Sequence, residues 1–546
     1  MVAPFNTRNT QDLTNNFTFS AQMGKLYPMF YEEVYPGDKF KCRDEILTKF
    51  APMIAPVYAQ MDVHTYYFFV PFRLCWKNWQ TFITGGKYGN GSLTKDGAPV
   101  VKPFINLTNP AKNSLAAYMY CAAQQNYPDG SSYKPGTYKV DAMPFRGIQL
   151  IWNEWFRDEN LQDEVQVSLE DGLDVTTNAL VIPTKCWERD RYTSALPWQQ
   201  RGDPTYLPLD IEAPVIGNGK ALGLSDFQNG ELGALVSTNF SASDNVAGSV
   251  YAVPNPIGGN LPYQLTPQRS SNWSLNYAVG VTSDLINSGL KTDLTRASAV
   301  TVDQVRTAFQ IQNFLYNSGR RGYRYVEQIL SLFGVHAPDA SLQRPEFIGG
   351  GRSPIRIGEV LQTSSTDNET PQGNRAGVAY GSANKHGFTK FFNEYGFVIG
   401  FYCVMPRTQY QQGVSKLMTR ETMYDYLNPY LVHLSMDAVK NKELYVTGNE
   451  AVDNAPFGYQ DRYDELRHRE NRVAGDFLDN LNFWTLGRIF KTPPALNSEF
   501  VTADPSKRIF AVTDQDVDPL WVTINHICYA RRPMPKYGEP GLIDHR

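Results

Sequence analysis

The densest array of side chains able to do chemistry is Asp461-Arg-Tyr-Asp-Glu-Leu-Arg-His-Arg-Glu-Asn-Arg472. Arg467, Arg469 and Arg472 could meet phosphate oxygens, and Tyr463 offers a ring for a base to stack on. That is the sequence-independent, salt-sensitive chemistry of single-strand binding. The same residues also fit a salt-bridged surface or intersubunit segment whose mixed signs offset one another. Arg531, Arg532 and Lys536 form a second basic candidate. Composition alone leaves both open.

Catalytic and metal chemistry find less support. The motifs G-x-x-x-x-G-K-[ST], H-E-x-x-H and G-x-S-x-G do not occur. Gly349-Gly-Gly351 lacks the helix start that a phosphate cradle needs, since Pro354, Ile355 and Ile357 suggest extended chain, so it reads as a structural turn. The seven histidines show no metal spacing, and His64 and His526 fall on predicted strands as satisfied, half-buried imidazoles. Glu32-Glu33, Glu154 with Asp158, and Asp461 with Asp464 read as solvated or interface acids, because a hydrolytic dyad must be fixed across a cleft. The chain is therefore expected to be no enzyme and to need no cofactor.

The elements that would position these groups are mostly strands. Met61–Val70 is apolar on both faces, as a strand buried on both sides must be, and Pro71 stops it. Tyr395–Met405 and Trp521–Ala530 are further strands, ended near Pro406 and Pro533. Val302, Val305, Phe309 and Leu315 share a helical stripe over 302–317, with Thr301 as a cap and Asp303 in the first turn. A second helix over 325–333 should turn Val326, Ile329, Leu330 and Phe333 inward and stop at Gly334.

Composition narrows the class. Of 546 residues, 13% are aromatic and only 19% charged, while 42 Gly and 35 Pro mark many turns. That suits short strands and buried subunit contacts, and a disordered chain would look different. A net charge of −4 and the lack of a basic N-terminal arm argue against a chain that condenses nucleic acid alone. Cys42, Cys75, Cys121, Cys186, Cys403 and Cys528 are scattered and read as free thiols in a reducing cytosol. Neither a secretory signal nor a membrane span is expected.

The parts expected along the chain are an extended aromatic arm at 1–35, β structure over 36–210, and helices followed by β structure over 301–530. An extended tail follows at 531–546. Between them, 211–300 carries ten charges in ninety residues and reads as a surface insertion. Its Tyr251, Tyr263, Trp273 and Tyr277 are candidates for contact with a host-surface receptor. The tail Arg532-Pro-Met-Pro-Lys-Tyr-Gly-Glu-Pro-Gly-Leu-Ile-Asp-His545 is too apolar for solvent and too rich in Pro and Gly for helix or central strand. It is expected to lie in a groove of its own subunit or a neighbour.

Several blocks, in order, carry a family resemblance. They include Pro36-Gly-Asp-Lys-Phe40, Met61 through Leu74, Arg191-Tyr-Thr-Ser-Ala-Leu-Pro-Trp-Gln-Gln-Arg-Gly202 and Phe333 through Gly351. Thr370-Pro-Gln-Gly-Asn374, His386-Gly-Phe-Thr-Lys390, Phe457-Gly-Tyr-Gln-Asp-Arg-Tyr463, Pro494-Ala-Leu-Asn-Ser-Glu-Phe500 and the tail complete the set. Together they resemble the major capsid proteins of microviruses, on the gokushovirus side. The pattern departs from the family at Gln199, where proline is expected.

The resemblance implies a mainly β chain, an eight-stranded antiparallel jelly roll with long loop insertions and a few helices. It also implies a sixty-copy, T=1 icosahedral shell around single-stranded circular DNA. Scaffolding, pilot and small basic DNA-binding proteins are the implied partners, in a virion made in the bacterial cytoplasm. Because first and last strands pair in a jelly roll, 61–70 should lie beside 521–530. The alternative is a β-sandwich carbohydrate-binding or carbohydrate-active protein, which shares the aromatic load.

Overall fold

The computed structural model describes residues 8–203, 215–217, 224–225, 232–233, 290–292, 302–322, 324–361, 375–434, 436–512, 514 and 517–534. The chain divides into two compact units, Met1–Gly202 with Leu315–Arg546, and Asp203–Phe314. In the second, the described residues form short ladders, Val215–Gly217 with Leu290–Thr292 and Leu224–Ser225 with Leu232–Gly233.

The first unit is built on one antiparallel sheet. Its strands are β1 (Asn9–Asp12), β2 (Asn15–Ala21), β3 (Tyr27–Val34), β4 (Lys39–Phe50), β5 (Met61–Pro71), β6 (Glu346–Leu361), β7 (Arg375–Phe391), β8 (Gly396–Pro406) and β9 (Leu520–Arg532). The order is β1-β9-β4-β7-β6-β5-β8-β3, and β2 also pairs with β9. The chain is thus mainly β, with few helices, as expected.

Inner strands are apolar throughout because both faces are covered: in β5, Phe68 packs on Trp155 and Phe156, and Tyr67 on Phe30 and Phe388. Every residue of β8 is buried, and in β5 Tyr66 alone is partly open. The strands β4 and β9 instead alternate, with Phe40, Cys42, Asp44, Ile46, Thr48 and Phe50 turned inward and lysines outward. The two run side by side from Leu520↔Phe50 to Arg531↔Lys39.

That ladder corrects two expectations. The strand beside β9 is β4, not β5, which sits between β6 and β8. Strands that leave the same face open, as β4 and β9 do, belong side by side, whereas β5 is covered on both faces. The same register sets Cys42 opposite Cys528, Cα atoms 4.2 Å apart, and their sulfurs are bonded. Cys75, Cys121, Cys186 and Cys403 are free.

The glycines 349–351, read as a turn, lie within β6 at a register shift between its pairings with β5 and β7. Close approach explains them. A Cβ on Gly350 would stand 2.2 Å from the Thr65 carbonyl oxygen, and one on Gly351 would stand 2.4 Å from the His386 ring.

Aromatic residues near the N-terminus find burial inside this chain. Phe19, Tyr27 and Phe30 belong to the main core, and Phe19 packs on Tyr27, Tyr118 and Tyr402. They become core because β2 and β3 join the sheet, so a neighbour is not needed to cover them.

The helices α1 (Val302–Arg321) and α2 (Tyr325–Phe333) lie where the periodicity sets them, and Gly334 caps α2 in the left-handed conformation at φ 67°. Of the residues expected inward on α2, Val326 and Ile329 are partly buried while Leu330 and Phe333 are exposed; on α1, Val302 and Phe309 are exposed and Val305 and Leu315 partly buried. Thr301 lies outside the described residues. A smaller second core, with Tyr192, Tyr410, Val439, Leu444, Phe457 and Phe500, carries the charged segment 461–472. None of the helices among the described residues is long and apolar enough to cross a membrane.

Candidate functional site

Burial of one arginine organises the charged segment. Arg191 is 2% exposed and reaches Glu443 at 2.9 Å, Asp464 at 3.3 Å and Glu465 at 3.8 Å. Burial alone would depress its pKa, but the facing carboxylates hold it above the usual arginine value. Arg420 reaches Glu465 at 3.4 Å, and His468 Nδ1 lies 2.8 Å from Asp464. Buried charges paired this closely fix the turn that carries them.

Tyr463 opens that turn, Asp464–Leu466, in the left-handed region at φ 63°. Its side chain is buried, and Arg462 lies over its ring at 5.3 Å. A base therefore has no open face on Tyr463, which corrects the stacking expectation. The hydroxyl instead donates to the Tyr424 carbonyl at 3.1 Å and accepts from the Asn428 amide at 3.3 Å. Arg462 donates to the same Tyr424 carbonyl at 2.9 Å.

The other proposed DNA contacts are scattered in role. Arg467 pairs with Asp461 at 3.5 Å, while Arg472 donates to the Gly413 carbonyl at 3.1 Å. Arg469 is exposed. Arg532 is committed inward: it donates to the Glu33 carbonyl at 2.8 Å, lies 3.4 Å from Asp38 and covers the Phe40 ring at 5.3 Å. Its neighbour Arg531 is exposed on the opposite strand face. Lys536, Tyr251, Tyr263, Trp273 and Tyr277 lie outside the described residues.

The segment these groups anchor was not legible beforehand. Residues 416–434 make three short turns, Lys416–Met418, Met423–Asp425 and Pro429–Leu431. Outward from them stand Met418 (83% exposed), Met423, Tyr424, Tyr426, Leu427 and Tyr430 (92% exposed). So concentrated an apolar apron is an interaction surface by physical default. Its underside is tied down by Arg420, Tyr463 and Arg462, and Lys416 reaches Asp437 at 2.5 Å. The sequence signal was Met and Tyr crowding without strand or helix period.

Comparison with known proteins settles what class of molecule carries this surface. The sequence matches the capsid protein (F protein) family over residues 3–542. This chain is a member of that family. It is 33% identical to capsid protein VP1 of Chlamydia phage 1, across 98% of this chain and 96% of the relative. VP1 of Bdellovibrio phage phiMH2K is also 33% identical, covering 95% and 92%, and VP1 of Spiroplasma virus 4 is 30% identical over the same shares. All three are capsid proteins of microviruses, and the family is structural and non-enzymatic.

Family membership fits the interior chemistry of this capsid protein. The carboxylates that converge, Glu443, Asp464 and Glu465, are buried and paired with Arg191, Arg420 and His468 inside the protein. Of the two strand histidines, His526 is fully buried and contacts Asp44 at 2.8 Å and the Met29 carbonyl at 2.9 Å, while His64 is buried with its Nε2 3.4 Å from Glu188. Burial, with Lys185 and Arg352 nearby, pushes the His64 pKa down to about 3. Among the described residues no group of three His, Cys, Asp or Glu side chains is placed to hold a metal ion.

Proposed function

We propose that this capsid protein assembles through its apolar apron into a T=1 shell of sixty copies around a single-stranded circular DNA genome. The observation that carries the reading is the apron itself, a hydrophobic surface held rigid by buried charge and left uncovered by its own subunit. Copies related by five-fold and three-fold axes supply the missing cover. Heterologous contacts that close around such axes need a stiff subunit, and the long ladders provide it.

The sheet supports an eight-stranded jelly roll as the core of this fold. Its two open margins, β2 and β3, meet over Tyr118, whose hydroxyl donates to the Ser20 carbonyl at 2.8 Å and whose ring lies 4.9 Å from Tyr27. The insertion at 211–300, with Tyr251, Tyr263, Trp273 and Tyr277, serves host attachment. Subunits are made in the bacterial cytoplasm and act with scaffolding, pilot and small basic DNA-binding partners.

Sedimentation and negative-stain imaging of the purified chain test the reading. Shell-sized closed particles are expected. A chain that stays monomeric at high concentration overturns it. Deleting 211–300 should leave assembly intact and abolish adsorption to cells; unchanged adsorption would remove the attachment role.

A further inference from the structure

The outward face of β4 and its neighbours forms a surface of a different kind from the apron. Alternation places Lys39, Lys41, Arg43 and Lys49 outward on β4. Registers align these with the flanking strands. Lys39 stands beside Arg531 and Phe391, Lys41 beside Tyr529, and Lys49 beside Trp521 and Tyr380, with Arg356 next in the same row. Each of these side chains is exposed.

Six cations share those rows with two carboxylates, Asp12 and Glu45, in a chain whose net charge is −4. Arg43 pairs with Glu45 at 3.1 Å; Lys39, Lys41, Lys49, Arg356 and Arg531 form no ion pair among the described residues. Interleaved with them are three open rings, Trp521 at 51% exposure with Tyr380 and Tyr529 close behind, and Phe391, over which Arg8 lies at 5.6 Å. Successive outward residues of a strand stand about 7 Å apart, a separation of the order of successive phosphates in an extended single strand. The platform is stiff, because the Cys42–Cys528 bond joins β4 to β9 directly beneath it.

We infer that this face is the nucleic-acid contact of the protein. It holds single-stranded DNA through phosphate–cation contacts, with bases stacked on Trp521, Tyr529 and Tyr380. The inference rests on the capsid reading for the identity of that strand, and it replaces the charged turn at 461–472 as the binding element. In 461–472, Arg467 and Arg472 are engaged by Asp461 and the Gly413 carbonyl, whereas Lys39, Lys41, Lys49, Arg356 and Arg531 form no ion pair among the described residues. Recognition is independent of base sequence, as rings and cations on a sheet face read stacking and charge.

The test measures oligo-dT binding by fluorescence anisotropy between about 50 and 200 mM salt. Changing Lys39→Glu, Lys41→Glu and Arg531→Glu together should weaken binding at least tenfold and flatten the log–log salt slope by about 2. Trp521→Ala with Tyr529→Ala should weaken oligo-dT about tenfold while leaving polyphosphate binding unchanged, which separates base stacking from bare charge attraction. If the glutamate variant misfolds, Lys39→Gln with Lys41→Gln keeps the charge test, with a smaller loss expected. Unchanged oligo-dT affinity in these variants overturns the inference. So does loss of particle formation with affinity intact, which would assign the face to contact between copies. Wild-type protein that binds oligo-dT through this face yet never assembles would support this inference and contradict the capsid reading.

Discussion

Strands β5 and β8 and the turn segment 416–434 are all rich in aromatic and aliphatic side chains, yet they meet opposite fates. In β5 and β8 the apolar residues are covered from within the same chain, and Phe68 touches Trp155 and Phe156 of the helical turn 152–156 as well as Phe347 and Phe401. In 416–434 the apolar residues point outward, and polar groups fasten the backbone from below. Apolar composition therefore does not say where burial occurs. What decides is which groups satisfy the backbone: ladder partners in the first region, Tyr463, Arg462 and buried ion pairs in the second.

The largest effects should come from exchanging the roles of the two regions. Phe68→Ala should cost about 3–5 kcal/mol of subunit stability, as expected for a fully buried aromatic ring, read by chemical denaturation. Tyr430→Ala should change subunit stability by less than about 0.5 kcal/mol while impairing particle formation. If Tyr430→Ala destabilised the subunit as Phe68→Ala does, the contrast would be lost.

Arg191→Met removes the charge beneath the apron, strips the buried Glu443 of its ion pair and leaves Asp464 with His468 and Glu465 with Arg420 alone. A loss of about 3–5 kcal/mol is expected, together with faster hydrogen exchange across 416–434. Exchange unchanged in that segment would show that the charge node does not anchor it.

A smaller effect sharpens the view of the sheet. His526→Asn removes the pair with Asp44, which also accepts from the Tyr67 hydroxyl at 2.6 Å. Leaving those buried groups short of a partner should cost about 1–3 kcal/mol, without touching assembly interfaces. Particles of normal size and lower melting temperature are expected; normal stability would place the pair outside the account.

A pH dependence also resides in the sheet. Burial first of all, with nearby cations, holds the His64 pKa at about 3, below its ordinary 6.5, and burial lowers His386 in the same direction. The unfolded chain therefore takes up these protons at higher pH than the folded one. Stability is present above about pH 6.5 and falls as the pH drops towards about 3. His64→Gln should flatten the dependence of melting temperature on pH in that window, and an unaltered profile would assign it to other groups.

Legibility in the sequence followed the same division. The strands at 61–71, 396–406 and 520–532 were readable because β-branched, aromatic and other apolar residues dominate each run and a proline stands at or just beyond its end. The strand β4 was not, because Asp44 and Thr48 occupy inward positions and break the apolar alternation. Its polarity is resolved across the sheet, by His526, Tyr67 and Tyr402, which no local window contains. The helical periods at 302–317 and 325–333 gave the elements, but Leu330 and Phe333 of the second lie exposed, since periodicity marks an apolar stripe without naming what covers it. At 461–472 the charge cluster was visible, but its partner Arg191 lies some 270 positions away, so its anchoring role was not.

The account turns on the apron being the surface that copies of the chain bury. The most direct measurement is sedimentation velocity of Tyr430→Asp combined with Met418→Asp, beside thermal denaturation of the same sample. The account predicts soluble monomers with the melting temperature of the wild-type subunit. Shells indistinguishable from wild type would contradict it.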